Sequence, residues 1–171
     1  MRVYLIGFMA AGKTTVGEIL AGRLGVPFVD LDSQVERTAA KSVREIFASE
    51  GEPAFRAREA EALRDTLRFP AVVVATGGGT LLVDANRALI RDHGLSVFLN
   101  PPFATIAGRI AAHGKVDRPL FRSETEALEL YRARLPMYRR ADATVEVGAA
   151  ESAAEVAARV ALLVERLRCA T

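Results

Sequence analysis

Eight residues, Gly7-Phe8-Met9-Ala10-Ala11-Gly12-Lys13-Thr14, follow directly on the apolar run Val3-Tyr4-Leu5-Ile6 and open a helical pattern. This junction limits the folds open to the chain more than any other feature. Glycines at both ends let the backbone curl so that successive N–H groups point inward, where phosphate oxygens can meet them. Lys13 adds a mobile positive charge, and the Thr14 hydroxyl can ligate a magnesium ion. Only three of the 23 basic residues are lysines, Lys13, Lys41 and Lys115. A lysine would land in this frame by accident on the order of once in several hundred chains of this composition. The expected ligand is a nucleoside triphosphate, and the bland alternative is a glycine-rich strand-to-helix turn without a ligand.

Helical and strand patterns then alternate to the end of the chain. Val16, Ile19, Leu20 and Leu24 recur at helical spacing, and Gly25-Val26-Pro27 breaks that helix before the short strand Phe28-Val29-Asp30. Ser42 with Glu45 reads as a capping box for a helix through Phe47, and Pro53 suits the first turn of a longer helix ending near Arg68. Further strands are expected at Ala71–Ala75, Leu95–Leu99 and Ala143–Val147. Helices are expected at Asp84–His93, from Pro102 to Ala112, up to Arg140, and after the Ser152/Glu155 box. Five short apolar strands separated by helices predict a parallel sheet covered on both faces. In such a sheet the active groups gather at the carboxyl ends of the strands. Three of those ends carry unusual chemistry: the phosphate loop, Asp30-Leu31-Asp32 and Gly77-Gly78-Gly79.

Asp30 and Asp32 are two apart, so continued strand geometry would project both to the same side of the sheet edge. Phosphoryl transfer uses one carboxylate to hold magnesium and another to orient or deprotonate the attacking hydroxyl. The competing reading has one of the two acids capping a helix that starts at Ser33. The glycine triplet removes side chains where a flat ligand could approach backbone, or else is a turn between strand and helix.

Composition narrows the classes. A chain of 171 residues, half of them hydrophobic, suits one compact domain spanning residues 1–171. Every apolar run is much shorter than the ~20 residues a bilayer span needs, so no membrane partner is expected. Met1-Arg2 leads straight into a strand, so no signal or transit peptide is expected, and Cys169 has no second cysteine to pair with. Both point to a cytoplasmic protein. The net charge is +2, with no basic stretch interleaved with aromatics, so nucleic acid is not an expected partner. His93 and His113 are isolated and lack metal-ligand spacing. No apolar helix face is left over beyond what a core needs, and a monomer is expected.

Together these segments resemble the shikimate kinases. The resemblance runs through the phosphate loop, Phe28-Val29-Asp30-Leu31-Asp32 with Glu36, and Phe47 to Gly51-Glu52 with Phe55-Arg56 and Glu59. It continues in Gly77-Gly78-Gly79, Arg118-Pro119-Leu120, and Arg134 with Pro136 and Tyr138. It implies a P-loop kinase fold, a three-layer α/β/α sandwich with a five-stranded parallel sheet and a mobile lid near residues 113–123. It implies transfer of the ATP γ-phosphate to the 3-hydroxyl of shikimate, giving shikimate 3-phosphate and ADP. By the same resemblance, Asp32, Lys13 and Arg118 are catalytic. Asp32, Arg56, Gly77, Gly78, Gly79 and Arg134 hold shikimate. Ala10, Ala11, Gly12, Lys13, Thr14, Thr15, Arg109 and Arg118 hold ATP, and Thr14 with Asp30 holds Mg2+.

Chemistry supports part of this allocation directly, because guanidinium forks match a carboxylate bidentately and stay charged at working pH. Arg56 and Arg58 point to nearly opposite sides of a helix. Arg56 is assigned to its first turn, where the helix N-terminus favours an anion, and Arg58 to a surface ion pair. Three departures from the family pattern stand out. Ala10 occupies a position where many members have glycine, the segment from Arg118 to Arg134 is short, and Gly148-Ala149-Ala150 lacks the polar residues that often frame adenine. Rival readings are a kinase for a related acid such as aminoshikimate or gluconate, a nucleoside monophosphate kinase, and a non-catalytic nucleotide sensor.

Overall fold

The computed structural model describes residues 1–112 and 123–169. Five parallel strands form one sheet: β1 (Arg2–Ile6), β2 (Phe28–Asp30), β3 (Val72–Ala75), β4 (Leu95–Asn100) and β5 (Ala143–Glu146). Their spatial order is β2-β3-β1-β4-β5. The central strand β1 pairs Tyr4 with Val74 of β3 and Leu5 with Val97 of β4. Strand alternation sends β1 side chains to opposite faces, and both faces are buried.

On one face, Tyr4, Ile6, Val72, Val74 and Phe98 pack with residues from α2 (Leu31–Ala39), α3 (Val43–Ser49), α4 (Gly51–Asp65), α5 (Asp84–His93), α6 (Phe103–Ala112) and α7 (Glu124–Tyr138). On the other, Val3, Leu5, Val73, Val97 and Leu99 pack with α1 (Lys13–Leu24) and α8 (Ala153–Cys169). This is the three-layer sandwich that the alternating pattern predicts. Among the described residues, no helix is long and apolar enough to cross a membrane.

Local signals explain where the elements start and stop. Gly25 ends α1 in the left-handed conformation at φ 65°, its N–H returned to the last turn. Ser42 and Glu45 close the expected capping box at α3, and Ser152 and Glu155 exchange the same bonds before α8.

Two expectations are corrected and one element is added. The helix expected to run to Arg68 stops at Asp65 and tightens into a 3-10 turn, Thr66–Arg68, where the Thr66 hydroxyl bonds the Leu63 carbonyl at 2.6 Å. The strand geometry expected to continue through Asp32 ends at Asp30, and the helix that the competing reading started at Ser33 begins at Leu31, which is fully buried. A second 3-10 turn, Thr80–Leu82, follows the glycine triplet.

Candidate active site

The phosphate loop is shaped by its backbone. Gly7, Ala10 and Gly12 all have positive φ, at 147°, 57° and 98°. At Gly7 a Cβ would stand 2.8 Å from the Leu99 carbonyl oxygen, so glycine is required where the loop leaves the sheet. Ala10 keeps the left-handed conformation despite its Cβ, which settles how the loop accommodates the residue that departs from the family pattern. No side chain caps α1 and no acid lies in its first turn, so the N–H groups there and the positive end of the helix dipole are left for an anion. Lys13 Nζ bonds the Gly7 and Phe8 carbonyls at 2.9 and 2.8 Å, folding its charge over the loop.

The loop forms the floor of a cavity of about 700 Å3 that reaches all three chemically unusual strand ends. Asp30 and Asp32 both line it, for a reason other than strand alternation. β2 ends at Asp30, and Asp32 lies in the first turn of α2. Asp30 Oδ1 accepts from the Ser33 N–H at 3.2 Å, so the capping reading holds for this residue. Its Oδ2 accepts from the Thr14 hydroxyl at 2.7 Å. One carboxylate therefore starts α2 and ties it to the phosphate loop.

Asp32 is accessible from the cavity but surrounded by protein atoms. Loss of bulk solvent, then the neighbouring Asp30 and Glu59 carboxylates, raise its pKa to about 6, against the opposing pull of Lys13 and Arg56. It is in the range where a carboxylate changes charge near neutral pH.

The far end of the cavity holds the arginines. Arg56 lies in the second turn of α4, which begins at Gly51, so the expected first-turn position is corrected. Its orientation comes from acids of its own helix. Nε and Nη2 bond Glu52 at 3.1 and 3.0 Å, and Nη1 bonds Glu59 at 2.7 Å. Glu59 is fully buried and also accepts from the Thr80 hydroxyl at 2.5 Å. Arg58 faces away and pairs with Glu50, as its spacing from Arg56 requires.

The glycine triplet serves these side chains. A Cβ on Gly79 would overlap the Arg56 guanidinium, and one on Gly77 would overlap Glu59 Oε1 and come within 3.0 Å of Asp32 Oδ1. The glycines make room first for the clamp and its buried acid, a reason that adds to close approach of a flat ligand. A Cβ on Gly78 would meet only ordinary contacts, Arg134 Nη1 and Met9 N, both at 3.5 Å.

Arg134 comes from α7, distant in sequence, and only 6% of it is exposed. Its Nε is buried without a hydrogen-bond partner while the side chain lines the cavity. A permanent cation on the cavity wall suits an anion; the orphaned Nε alone does not mark the site, since Arg2 Nε, outside this cavity, is buried without a partner as well.

At the opposite end, beyond the phosphate loop, the walls are Val147, Glu151, Ala153 and Val156, with Arg109 above the loop. Arg109 Nη1 bonds the Ala10 carbonyl at 3.1 Å. Ala11, Gly12 and Thr15 line the floor between the two ends. Arg118 and most of the expected lid, residues 113–122, lie outside the described residues.

The Thr14 hydroxyl and Asp30 carboxylate offer two adjacent oxygens. Among the described residues, no group of three or more His, Cys, Asp or Glu forms a metal cage. Few protein oxygens beside a phosphate site fit Mg2+, which keeps water and phosphate in most of its positions.

Sequence reasoning quoted Glu59 without giving it a task, and gave none to Thr80 or Tyr138. The i, i+3 spacing of Arg56 and Glu59 was the available signal for the first. Nothing local marks the other two, which act across the fold.

Comparisons with known proteins agree with this geometry. A family model described as shikimate kinase matches residues 9–165. The shikimate kinase of Nitratidesulfovibrio vulgaris is 43% identical over 168 residues, covering 95% of each chain. That of Salinibacter ruber is 49% identical over 125 residues, 73% of this chain and 61% of the relative's length. Among solved structures, shikimate kinase from Acinetobacter baumannii in complex with shikimate superposes with a TM-score of 0.90 at 35% identity, covering 98% of this chain and 94% of that one. A gluconokinase from Sinorhizobium meliloti, at 23% identity and a TM-score of 0.62, shares the fold alone. With a matched model across most of its length and relatives well above 30% identity, the chain belongs to the shikimate kinase family.

Proposed function

We infer that this protein transfers the γ-phosphate of ATP to the 3-hydroxyl of shikimate, releasing shikimate 3-phosphate and ADP. The observation that carries the reading is the Arg134 side chain, a nearly buried permanent cation that lines the same cavity as the phosphate loop. Arg134 and Arg56 take the carboxylate of the acid. Gly77, Gly78 and Gly79 let the ring lie close to backbone, and Asp32 meets the ring hydroxyls on the side nearest the loop.

In that arrangement Ala10, Ala11, Gly12, Lys13, Thr14 and Thr15 hold the ATP phosphates, with Lys13 leaving the loop carbonyls for the phosphate oxygens. Thr14 and Asp30 hold Mg2+, which, when bound, neutralises charge on the transferred group. Asp32 orients the attacking hydroxyl and, when ionised, accepts its proton. Arg109 exchanges its bond to Ala10 for the nucleotide, and Arg118 reaches the phosphates from the lid. The reading includes a single-domain monomer acting in the cytoplasm on small molecules.

The test is ADP release with MgATP and shikimate, run beside aminoshikimate, gluconate, quinate and AMP. Stimulation by shikimate far above the others is the expected result. Stimulation by another acceptor instead would leave the phosphate loop intact and reject the acid assigned to the arginines.

A further inference from the structure

Gly78 is the most conformationally free residue type at the centre of the acceptor site, yet the peptide planes on both sides of it are held. The Gly77 carbonyl accepts from the Thr80 N–H at 3.2 Å and lies 3.0 Å from the Thr80 hydroxyl. The Gly78 carbonyl accepts from the Tyr138 hydroxyl. No peptide bond among the described residues is cis, so each carbonyl fixed on one side turns the next N–H to the other. Gly77, Gly78 and Gly79 line the cavity, whereas Tyr138 lies behind them. The Gly79 N–H has no acceptor among the described residues.

Tyr138 is well placed for this task. Only 1% of it is exposed, and its ring stacks on Phe98 of β4 with centroids 5.3 Å apart. It stands one helical turn after Arg134 on α7, so the same turn carries the buried cation and the hydroxyl behind the glycine bridge. Burial pushes the phenol up to about 12, so the group remains a donor at every working pH.

We propose that Tyr138 is a positioning residue for the acceptor site: its hydroxyl, by holding the Gly78 carbonyl, locks the bridge so that its N–H groups and Arg134 present one fixed surface to the acid. Tyr138 acts through Gly78 and through Arg134, whose side chain also hydrogen-bonds its hydroxyl, and it touches no reacting atom. The proposal rests on the shikimate reading, and activity of the unaltered protein with shikimate tests that reading separately.

The experiment is Tyr138→Phe, which removes one oxygen and keeps the ring against Phe98. The expected result is a KM for shikimate raised about tenfold, a KM for ATP within about twofold of the unaltered enzyme, and a Tm within a few degrees. A shikimate KM that does not move, or two KM values that rise together, overturns the proposal. Phe98→Leu is the packing control, since it loosens the ring and keeps the hydroxyl. A lower Tm with an unchanged ratio of the two KM values is expected there, and a selective rise in shikimate KM would assign the effect to packing and reject the hydroxyl's role. In the unaltered protein the 13Cζ resonance of Tyr138 should shift on adding shikimate and not on adding ADP. A resonance indifferent to shikimate refutes the coupling without any variant.

Discussion

Replacing Gly79 by alanine separates two reasons for the glycine triplet. The backbone at Gly79, φ −111° and ψ 1°, is open to alanine, so strain is not the issue. The added methyl would overlap the Arg56 guanidinium, whose Nη1, Nη2 and Cζ all lie in its path. Arg56 must swing away, losing the 2.7 Å bond to Glu59 and its place at the acid end of the cavity. A hydrogen bond to a charged group contributes about 1.5–3 kcal/mol. Loss of the Arg56 contact therefore raises the KM for shikimate by about ten- to a hundredfold. The KM for ATP should hold, because the phosphate loop is untouched. Glu59 would keep Thr80 as its partner, so the stability loss stays below the roughly 3–5 kcal/mol of breaking a buried pair outright. Steady-state kinetics with each substrate varied, beside a melting curve, gives all three quantities. Gly78→Ala, whose methyl meets only ordinary contacts with protein, should cost less than Gly79→Ala. If the two variants lose shikimate affinity equally, the triplet serves ring approach alone, and room for Arg56 is not its purpose.

Further outcomes are expected at three residues. Asp32→Asn should lower kcat by a hundredfold or more with ATP affinity within a few fold. In the unaltered enzyme, kcat/KM should fall with an acidic limb near pH 6 as that carboxylate protonates, and a flat profile down to pH 5 would remove Asp32 from the mechanism. The sign for stability is the opposite: a carboxyl raised in the folded state binds protons more tightly than in the unfolded chain. This site therefore favours folding less as pH rises from about 4 to about 6, and cavity water screens the effect. Ala10→Gly should remove left-handed strain and stabilise by up to about 1 kcal/mol after the added freedom of the unfolded chain, raising Tm by about 2–4 °C. A fall in Tm would show that Ala10 is not strained. Arg134→Ala should raise the KM for shikimate far more than that for ATP, and the reverse result would move this arginine to the nucleotide.

Most of the architecture was legible because the strands are short apolar runs whose two faces are both buried, and because caps such as Ser42/Glu45 are local. The phosphate loop was legible for the same reason, since its chemistry lies within eight consecutive residues. Asp32 was placed in the right cavity by an argument that fails in detail. Alternation assumed a strand two residues longer, whereas burial of Leu31 begins a helix there. Arg56 was misplaced by one turn because Gly51, at φ 83°, starts α4 before Pro53. The purpose of Gly77 and Gly79 was hidden because it depends on Glu59 and Arg56, which approach from another helix. Tyr138 and Thr80 reach the bridge by hydrogen bonds that span the fold and leave no periodic trace.

The strand order has a consequence for how the molecule comes into being. Of the five strands β1 comes first in the chain but sits in the middle of the sheet, and its partners are residues 72–75 and 95–98. During synthesis it waits as a strand with two open edges until most of the first hundred residues have emerged. The phosphate loop hangs from the end of that strand, so nucleotide binding arises only once the sheet has closed around it. Fragments ending before β4 should be unable to hold ATP. In the finished protein the amides of Leu5 and Ile6 should exchange with solvent no faster than the whole molecule unfolds.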